Sequence, residues 1–404
     1  MKTTTATRCL MIAAVMSLCG AIGLAAETAA VQPVVEVRPA EPKPLVQMAI
    51  LLDTSGSMSG LIDQARTELW SIVNEFILAE RGGRQPEIQV ALYEYGNTRL
   101  SSESGWIRQI VPFTTDLDKV SEELFALKTN GGDEYCGWVI RDATQKLAWS
   151  GSPDDLKVIF IAGNEPFTQG PVDYREVCKT AITRGIIVNT IHCGGDQEGI
   201  DGKWRDGAVL ADGRHLNINH NQQIVHIPAP QDREIADLGL RLNQTYIPFG
   251  TEGHAAQQRQ AAQDNNAANA SPEAGVGRAL TKSSRYYTNS AWDLVDAVRT
   301  NQMDLADVKA EDLPQNMQEM SAEQRNAYVT TKANERTEIQ ARIQKLNEQR
   351  NQFVAEEMKK GGPQADTLGS AVKQAVREQA AKKNYTFKGA EEPSNAPEGA
   401  PEKK

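Results

Sequence analysis

The sequence has little of what several functional classes require. Its 404 residues include only five cysteines and five histidines, and their formal net charge is -10. Proteins that bind nucleic acids through phosphates need a basic surface, and this composition does not supply one. The cysteine spacing fits no zinc pattern. The chain also has no glycine-rich phosphate loop and no arrangement typical of Ser-His-Asp catalysis. These absences disfavour nucleic-acid binding and the commonest hydrolytic mechanisms.

The N-terminus has the pattern of a secretory signal peptide. Lys2 and Arg8 precede an apolar run that extends to Ala26 and ends in small residues. Residues 1–26 are therefore predicted to be a signal peptide that is cleaved near Ala25 or Ala26. We expect an exported protein, periplasmic or extracellular, with no transmembrane span after cleavage. An uncleaved anchor is the alternative, because the run is close to the minimum length for a span.

Three cysteines remain in the mature chain: Cys136, Cys178 and Cys193. An export compartment would allow one disulfide and one free thiol among them. The preceding segment, residues 27–45, is rich in proline and is predicted to be an extended linker.

A run of apolar residues from Met48 to Leu52 ends at Asp53, and hydroxyl side chains follow at Ser55 and Ser57. The run is typical of a buried parallel strand. In locally extended chain, residues two apart point to the same side, so these three side chains can present three oxygens to one point. Hard oxygen ligands suit Mg²⁺, or Mn²⁺ and Ca²⁺, better than zinc or copper.

From residue 46 to about 250, predicted strands alternate with amphipathic helices. Such alternation predicts an α/β fold with a doubly wound, mostly parallel sheet flanked by helices. Ligands of such sheets bind at the carboxyl ends of the central strands, where Asp53, Asn164 and Cys193 are expected. The predicted strands cover residues 48–52, 88–95, 106–113, 157–162, 186–192 and 216–218.

The strand ending at Asp53, together with the sequence Asp53-Thr54-Ser55-Gly56-Ser57, resembles the first motif of the von Willebrand factor A (VWA) domain. In that family, Asp-x-Ser-x-Ser belongs to a metal-ion-dependent adhesion site (MIDAS). The buried strand before the motif, the helix after it and the order of elements agree with the same fold. The resemblance covers residues 46–250 and implies a Rossmann-like architecture.

The resemblance also implies two further loops at the metal site. The second resembles the subset with Gly-Gly-Asp, which makes Asp133 the candidate ligand, with Thr129 and Glu134 as alternatives. The third loop usually carries Thr-Asp-Gly, but this chain has Gly163 where the aspartate is expected. Asn164 and Glu165 follow it and are further candidates.

We therefore expect one Mg²⁺ (or Mn²⁺ or Ca²⁺) per chain, held by Asp53, Ser55, Ser57 and Asp133. Helix capping is the alternative explanation at both loops. Asp133 and Glu134 would stabilise a helix start without any metal. Likewise, Ser57 or Ser59 could serve as the N-cap of the helix after the first motif.

The C-terminal region is predicted to be mainly α-helical. Residues 251–285 are rich in Gln, Ala and Asn and indicate a linker or helix, and residues 286–388 indicate a helical region. A long charged helix over 321–360 and a second helix over 367–382 would form a helical hairpin. Residues 389–404 are predicted to be a disordered tail.

Three functional hypotheses follow. The first, which the resemblance implies, is an exported binding protein that is not an enzyme. Its bound cation would engage an acidic side chain of a partner protein in adhesion or assembly. The second is a metal-free scaffold that assembles through its C-terminal helices. The third is a hydrolase or phosphotransferase that uses Asp53 as phosphoryl acceptor or Cys136 as nucleophile, although Ser55 stands where an Asp-x-Asp acceptor would need its second acid.

Overall fold

The structure is a computed structural model that describes residues 43–221, 227–360 and 367–387. The predicted signal peptide, residues 27–42 of the predicted linker and the predicted tail lie outside the described residues. Residues 43–404 form one unit by their contacts, and the unit that ends at Pro42 is not described. Across the described ranges, no helix combines the length and apolar character that a membrane crossing needs.

The strands of the described residues are β1 (Leu45–Asp53), β2 (Ala79–Glu80), β3 (Glu87–Tyr95), β4 (Ile107–Thr114), β5 (Leu156–Gly163), β6 (Ile187–His192), β7 (His215–Asn217) and β8 (Thr386–Phe387). Six of them form one mostly parallel sheet with the order β4-β3-β1-β5-β6-β7. Strands β1, β3, β5, β6 and β7 are mutually parallel, and β4 pairs antiparallel with β3 at one edge. A short antiparallel pair joins β2 to β8. The predicted fold class is confirmed.

The sheet is buried on both faces. Since successive side chains of a strand point to opposite sides, its central strands contribute to two separate cores. Along β1, Met48 and Leu52 belong to one apolar core, while Ala49 and Leu51 belong to the other. All four are at most 2% exposed. A continuous apolar run is therefore what this central strand requires, and it is what the sequence supplies.

Helices cover both faces of the sheet and continue into the C-terminal region. They are α1 (Ser59–Glu75), α2 (Leu117–Ala126), α3 (Cys136–Lys146), α4 (Tyr174–Thr183), α5 (Asp196–Asp201), α6 (Trp204–Val209), α7 (Asp232–Leu242), α8 (Gly250–Ala270), α9 (Pro272–Lys282), α10 (Leu294–Arg299), α11 (Gln315–Gln318), α12 (Ala322–Lys359) and α13 (Leu368–Ala381). One core lies between the sheet and α1, α2 and α13, and the other between the sheet and α3, α4 and α6.

The C-terminal helices pack against the sheet domain. The segment expected to be a linker or helix contains α8 and α9, and both contact α1. Helix α12 packs against α7, α9 and α10. Helix α13 contacts α1, β5 and β6, so the described residues do not form the expected hairpin of the last two helices. The apolar face of α13, with Val372 and Val376, completes the core on the α1 side of the sheet.

A buried group of charges fixes α9 to its neighbours. Arg278 pairs with Asp264 on α8 at 2.9 Å and with Asp118 on α2 at 2.5 Å. Lys282 pairs with the other oxygen of Asp264 at 2.8 Å. All four side chains are at most 8% exposed. Because each charge has a buried partner, the group ties three helices together without leaving an isolated buried ion.

Candidate metal centre

The candidate site lies at the carboxyl end of β1, which has β3 on one side and β5 on the other. The chain passes from β1 to β3 in one direction along the sheet and later to β5 in the other. This reversal makes a crevice outside the strand ends, the usual ligand position in open α/β sheets. The first loop, residues 53–58, and the third loop, residues 163–165, follow the ends of neighbouring strands.

Asp53 is fully buried at the base of the crevice. It is 0% exposed, and its Oδ1 accepts a hydrogen bond of 2.7 Å from the backbone amide of Ser55. Its other oxygen, Oδ2, is buried and has no hydrogen-bond partner. Burial raises the pKa of Asp53 to about 7; the backbone and hydroxyl of Ser55 and the backbone of Asn164 oppose the rise, and the nearby charge of Glu165 adds to it. A buried oxygen of this kind is costly unless something binds it.

Ser55 and Ser57 present their hydroxyls on the same side of the first loop, as their spacing predicts. Their Oγ atoms lie 3.5 Å apart; Ser55 is buried and Ser57 is exposed. The residue at the N-cap of α1 is Met58, and no side chain caps this helix. The capping alternative for Ser57 or Ser59 is therefore wrong, because neither hydroxyl bonds the first turn.

In the second loop, the acid beside Asp53 is Glu134 rather than Asp133. Glu134 is 6% exposed, whereas Asp133 is exposed and accepts a hydrogen bond from the Tyr135 hydroxyl at 3.4 Å. Burial raises the pKa of Glu134 to about 8, and the charges of Asp53 and Glu165 add to the rise. The expected primary ligand thus lies at the rim, and its neighbour takes the inner position.

Asp53 and Glu134, which we call the inner acids, both pack closely against Gly96, the residue after β3. A Cβ built at Gly96 would lie 2.7 Å from Cγ of Glu134 and 2.9 Å from Oδ1 of Asp53. Gly96 also has φ of +77°, a backbone conformation that glycine adopts without strain. Sequence reasoning missed this residue; the available signal was a glycine directly after the strand adjacent to β1.

Backbone contacts join the second loop to the first. The amide of Asn130 donates to the carbonyl of Thr54 at 2.9 Å, and a Cβ at Gly56 would lie 3.6 Å from the Gly131 nitrogen. Thr129 is half-buried in this loop. Capping of α3 by the acids does not occur, because its N-cap is Tyr135 and no side chain bonds the first turn.

The third loop supplies an amide and a carboxyl. Asn164 is half-buried, and its Oδ1 is a buried oxygen without a hydrogen-bond partner. Glu165 is also half-buried, and its charge acts on both inner acids. Gly163, which stands where the family aspartate is expected, packs directly against Asp53.

Cys136, Cys178 and Cys193 are all buried and free, so the disulfide that the sequence allowed among them is not formed. Cys136 is 1% exposed, and burial raises the pKa of its thiol well above the ordinary value. A thiol held in its neutral form is a poor nucleophile. The geometry therefore disfavours the catalytic role considered for Cys136.

The donor set of the crevice suits a hard divalent cation. Its donors are all oxygens: carboxylates, hydroxyls and an amide, the ligand types that Mg²⁺ and Ca²⁺ prefer. Two of these oxygens, on Asp53 and Asn164, are buried without partners. Over the described part of the chain, no group of three or more His, Cys, Asp or Glu side chains is arranged to hold a metal. Binding would therefore depend on the serine and amide oxygens as well as the acids.

Comparison with known proteins agrees with the fold. Residues 47–200 match the family model for the von Willebrand factor type A domain. A search of curated proteins found no match.

Solved structures that resemble this chain share low sequence identity with it. Proximal thread matrix protein 1 from the mussel byssus is 11% identical, with a TM-score of 0.32; the match covers 43% of this chain and 41% of that protein. BatB from Bacteroides thetaiotaomicron is 17% identical, with a TM-score of 0.32, over 43% of this chain and 90% of BatB. The pilus adhesin SpaC from Lactobacillus rhamnosus GG is 15% identical, with a TM-score of 0.32, over 44% of this chain and 28% of SpaC.

The sheet order, the position of the Asp53 loop and the family match agree with one another. Residues 47–200 of this chain are therefore a von Willebrand factor type A domain.

Proposed function

We propose that this VWA domain binds one divalent cation, Mg²⁺ or alternatively Mn²⁺ or Ca²⁺, in the crevice at Asp53. The cation would in turn engage an acidic side chain of a partner protein. The chain would act as an exported binding protein in adhesion or assembly, in agreement with its predicted signal peptide and with the interaction role typical of VWA domains.

One observation carries the proposal: Oδ2 of Asp53 is buried at the end of the central strand and has no hydrogen-bond partner. A buried carboxylate oxygen is normally bonded, since leaving it unpaired costs about 1–3 kcal/mol. Around it, the charge of Glu165 raises the free-energy cost of ionising Asp53, and the charges of Asp53 and Glu165 do the same for Glu134. A cation would remove both costs at once.

The ligands would come from all three loops. Asp53, Ser55 and Ser57 are the first-loop donors, Glu134 is the second-loop acid beside Asp53, and Asn164 is the third-loop donor with a free oxygen. Asp133, at the rim, and Thr129 and Glu165 remain outer candidates. Without the cation, the ionised fraction of these carboxyls would repel an acidic partner, whereas the bound cation would attract it.

A metal-free scaffold is the second candidate, favoured by Gly163 in place of the family aspartate. In that case the C-terminal helices would carry assembly. An enzymatic role for Cys136 is disfavoured by burial, which raises the pKa of its thiol well above the ordinary value. A phosphoryl-acceptor role for Asp53 is disfavoured by Ser55, which stands where an Asp-x-Asp acceptor needs its second acid.

Calorimetric titration of the mature chain with Mg²⁺ or Mn²⁺ separates the first two candidates. We expect one site per chain that is lost in Asp53→Ala. The control is Asp63→Ala, which removes an acid of α1 with a 71% exposed side chain. No binding by the wild type would refute the metal site and favour the scaffold. A pull-down from an envelope extract with and without chelator then tests whether partner binding requires the cation.

A further inference from the structure

Three aromatic side chains form a continuous surface beside the crevice. The rings of Trp106 and Tyr135 meet edge to face with centroids 5.3 Å apart, and those of Tyr135 and Trp138 are stacked at 6.2 Å with an interplanar angle of 8°. Each of the three residues is half-buried. We call these residues the aromatic platform. Rings that are packed against one another yet partly open to solvent are well suited to binding a ligand.

The platform is directly connected to the inner acids. Tyr135 follows Glu134 in the chain, and its hydroxyl donates to Asp133 at 3.4 Å. The carbonyl of Trp106 accepts a hydrogen bond of 3.1 Å from the amide of Gly96, the residue packed against both Asp53 and Glu134. The rings therefore lie next to the two segments that hold the acids of the crevice.

Two glycines pack tightly against the platform and hold its rings in place. A Cβ at Gly105 would lie 2.6 Å from Cε3 of Trp138, and one at Gly170 would lie 2.5 Å from Cδ1 of Tyr135. Both glycines have positive φ, +70° and +91°. Only glycine adopts a positive φ without strain and also leaves room for the neighbouring ring. At both positions the backbone itself therefore packs against a ring.

Trp106 itself has φ of +52°, which is strained for a bulky residue. Strain of this kind persists where the surrounding structure imposes it, and it is concentrated at functional sites. The strained backbone places the Trp106 ring against Tyr135. Asparagine or glycine would fit this conformation with less strain, so what tryptophan contributes at this position is its ring.

The charges around the platform favour an apolar occupant over a cationic one. The guanidinium of Arg141 already lies over Trp138, 4.9 Å from the ring centroid. The exposed carboxylate of Asp133 already accepts a hydrogen bond from the Tyr135 hydroxyl, so the positive and the negative charge beside the rings each have a partner within the chain. Burial of aliphatic or aromatic surface against the rings needs no further charge and is favourable.

We propose that Trp106, Tyr135 and Trp138 form a second subsite for the partner, which receives an aliphatic or aromatic side chain near the partner's acidic residue. The inference rests on the proposed function, because it assumes an acid in the crevice. An extended peptide advances about 3.3–3.6 Å per residue. The apolar side chain should therefore lie within about three positions of the acid.

Three labelled nine-residue peptides test the subsite. Each has a central aspartate in a Gly/Ser background, flanked on both sides by Phe and Leu, by Ser, or by Lys. Binding to the full chain is followed by fluorescence anisotropy with Mg²⁺ and with chelator. We expect the apolar-flanked peptide to bind about tenfold more tightly than the Ser-flanked one. The Lys-flanked peptide should gain nothing.

Variants assign the preference to the platform. Trp106→Gly removes the ring and relieves the strained backbone, so it should abolish the tenfold preference and leave Mg²⁺ titration intact. Tyr135→Ala removes the central ring and should also abolish the preference. The control is Trp149→Ala, at a half-buried tryptophan that packs on Phe113 away from the crevice. It should keep the preference.

The outcomes separate the two proposals. Equal binding of all three peptides, tighter binding of the Lys-flanked peptide, or no peptide binding by Mg²⁺-loaded protein would overturn the subsite and leave the metal site standing. An apolar preference that survives chelation would support the platform and contradict the metal-dependent capture of the acid.

Discussion

Gly163 and Asp53 lie side by side where β5 and β1 end, and no space remains for a side chain on the glycine. A Cβ built at Gly163 would lie 3.1 Å from Oδ2 of Asp53 and would collide with the hydroxyl of Tyr95. That hydroxyl is enclosed, because Tyr95 is 0% exposed and donates to the carbonyl of Ala162 at 3.0 Å. Glycine at this position is therefore a packing requirement of this crevice.

The first prediction is that restoring the family aspartate will weaken the site. Gly163→Asp forces Tyr95 or Asp53 to move, and overpacking of this kind typically costs about 1–3 kcal/mol. We expect Mg²⁺ affinity at least about tenfold lower than in the wild type, measured by calorimetry, together with a lower unfolding temperature.

The matched variant is Asn164→Asp, one residue further on. Asn164 already has a buried, unpaired side-chain oxygen, so the new carboxylate occupies existing space. We expect tighter Mg²⁺ binding, because a further charged ligand joins Asp53 and Glu134. Tighter binding by Gly163→Asp than by Asn164→Asp would show that packing does not limit the site.

The second prediction concerns stabilisation by the cation. Excess Mg²⁺, at about 100 times its dissociation constant, should raise the free energy of unfolding by about 2.7 kcal/mol. Asp53→Asn keeps the shape of the side chain but removes its charge, so Mg²⁺ should no longer stabilise the protein. Thermal unfolding with Mg²⁺ and with chelator measures the effect; an equal Mg²⁺ response in both proteins would contradict the role of Asp53.

The sheet could be predicted because its signals are local. The apolar run of β1 and the helix after Asp53 both appear in short stretches of sequence. The choice between Asp133 and Glu134 could not be made in this way. The preceding Gly131-Gly132 leaves the loop conformation open, and contacts with Gly96, distant in sequence, decide which acid points inward.

The position of α13 could not be predicted for a related reason. Its apolar face is visible in the sequence, but a face does not identify its partner. The contacts that select α1 are long-range, such as the 3.0 Å bond from the amide of Leu368 to the side chain of Gln64. The buried ion pairs of Arg278 and Lys282 could not be predicted from the sequence either, because their partners lie on other helices.

The third prediction is a pH effect at Lys282, which is 1% exposed. Burial lowers its pKa to about 8, although the charge of Asp264 opposes this. In the unfolded chain, lysine titrates near about 10.4. Between these values the unfolded state binds more protons, so the contribution of Lys282 to stability rises with pH across this window.

Lys282→Met removes that contribution. The stability difference between wild type and variant should therefore shift in favour of the wild type from pH 7.5 to pH 10, measured by urea unfolding at each pH. Subtraction cancels the titration of the tyrosines and cysteines, which both proteins share. Lys345→Met, at an exposed lysine of α12, should show no such shift. A difference independent of pH would contradict the lowered pKa.

The fourth prediction is that α13 is integral to the VWA domain although it lies far outside the matched residues. Val376 is 0% exposed and belongs to the core between α1 and the sheet. Val376→Asp would place an unpaired charge there, which should cost at least about 3 kcal/mol. The variant should unfold at a much lower urea concentration and should lose Mg²⁺ binding as α1 is released.

Gln374→Asp, at an exposed position of the same helix, should change stability by less than about 0.5 kcal/mol. If both variants were equally stable, α13 would be an appendage, and the core would close without it.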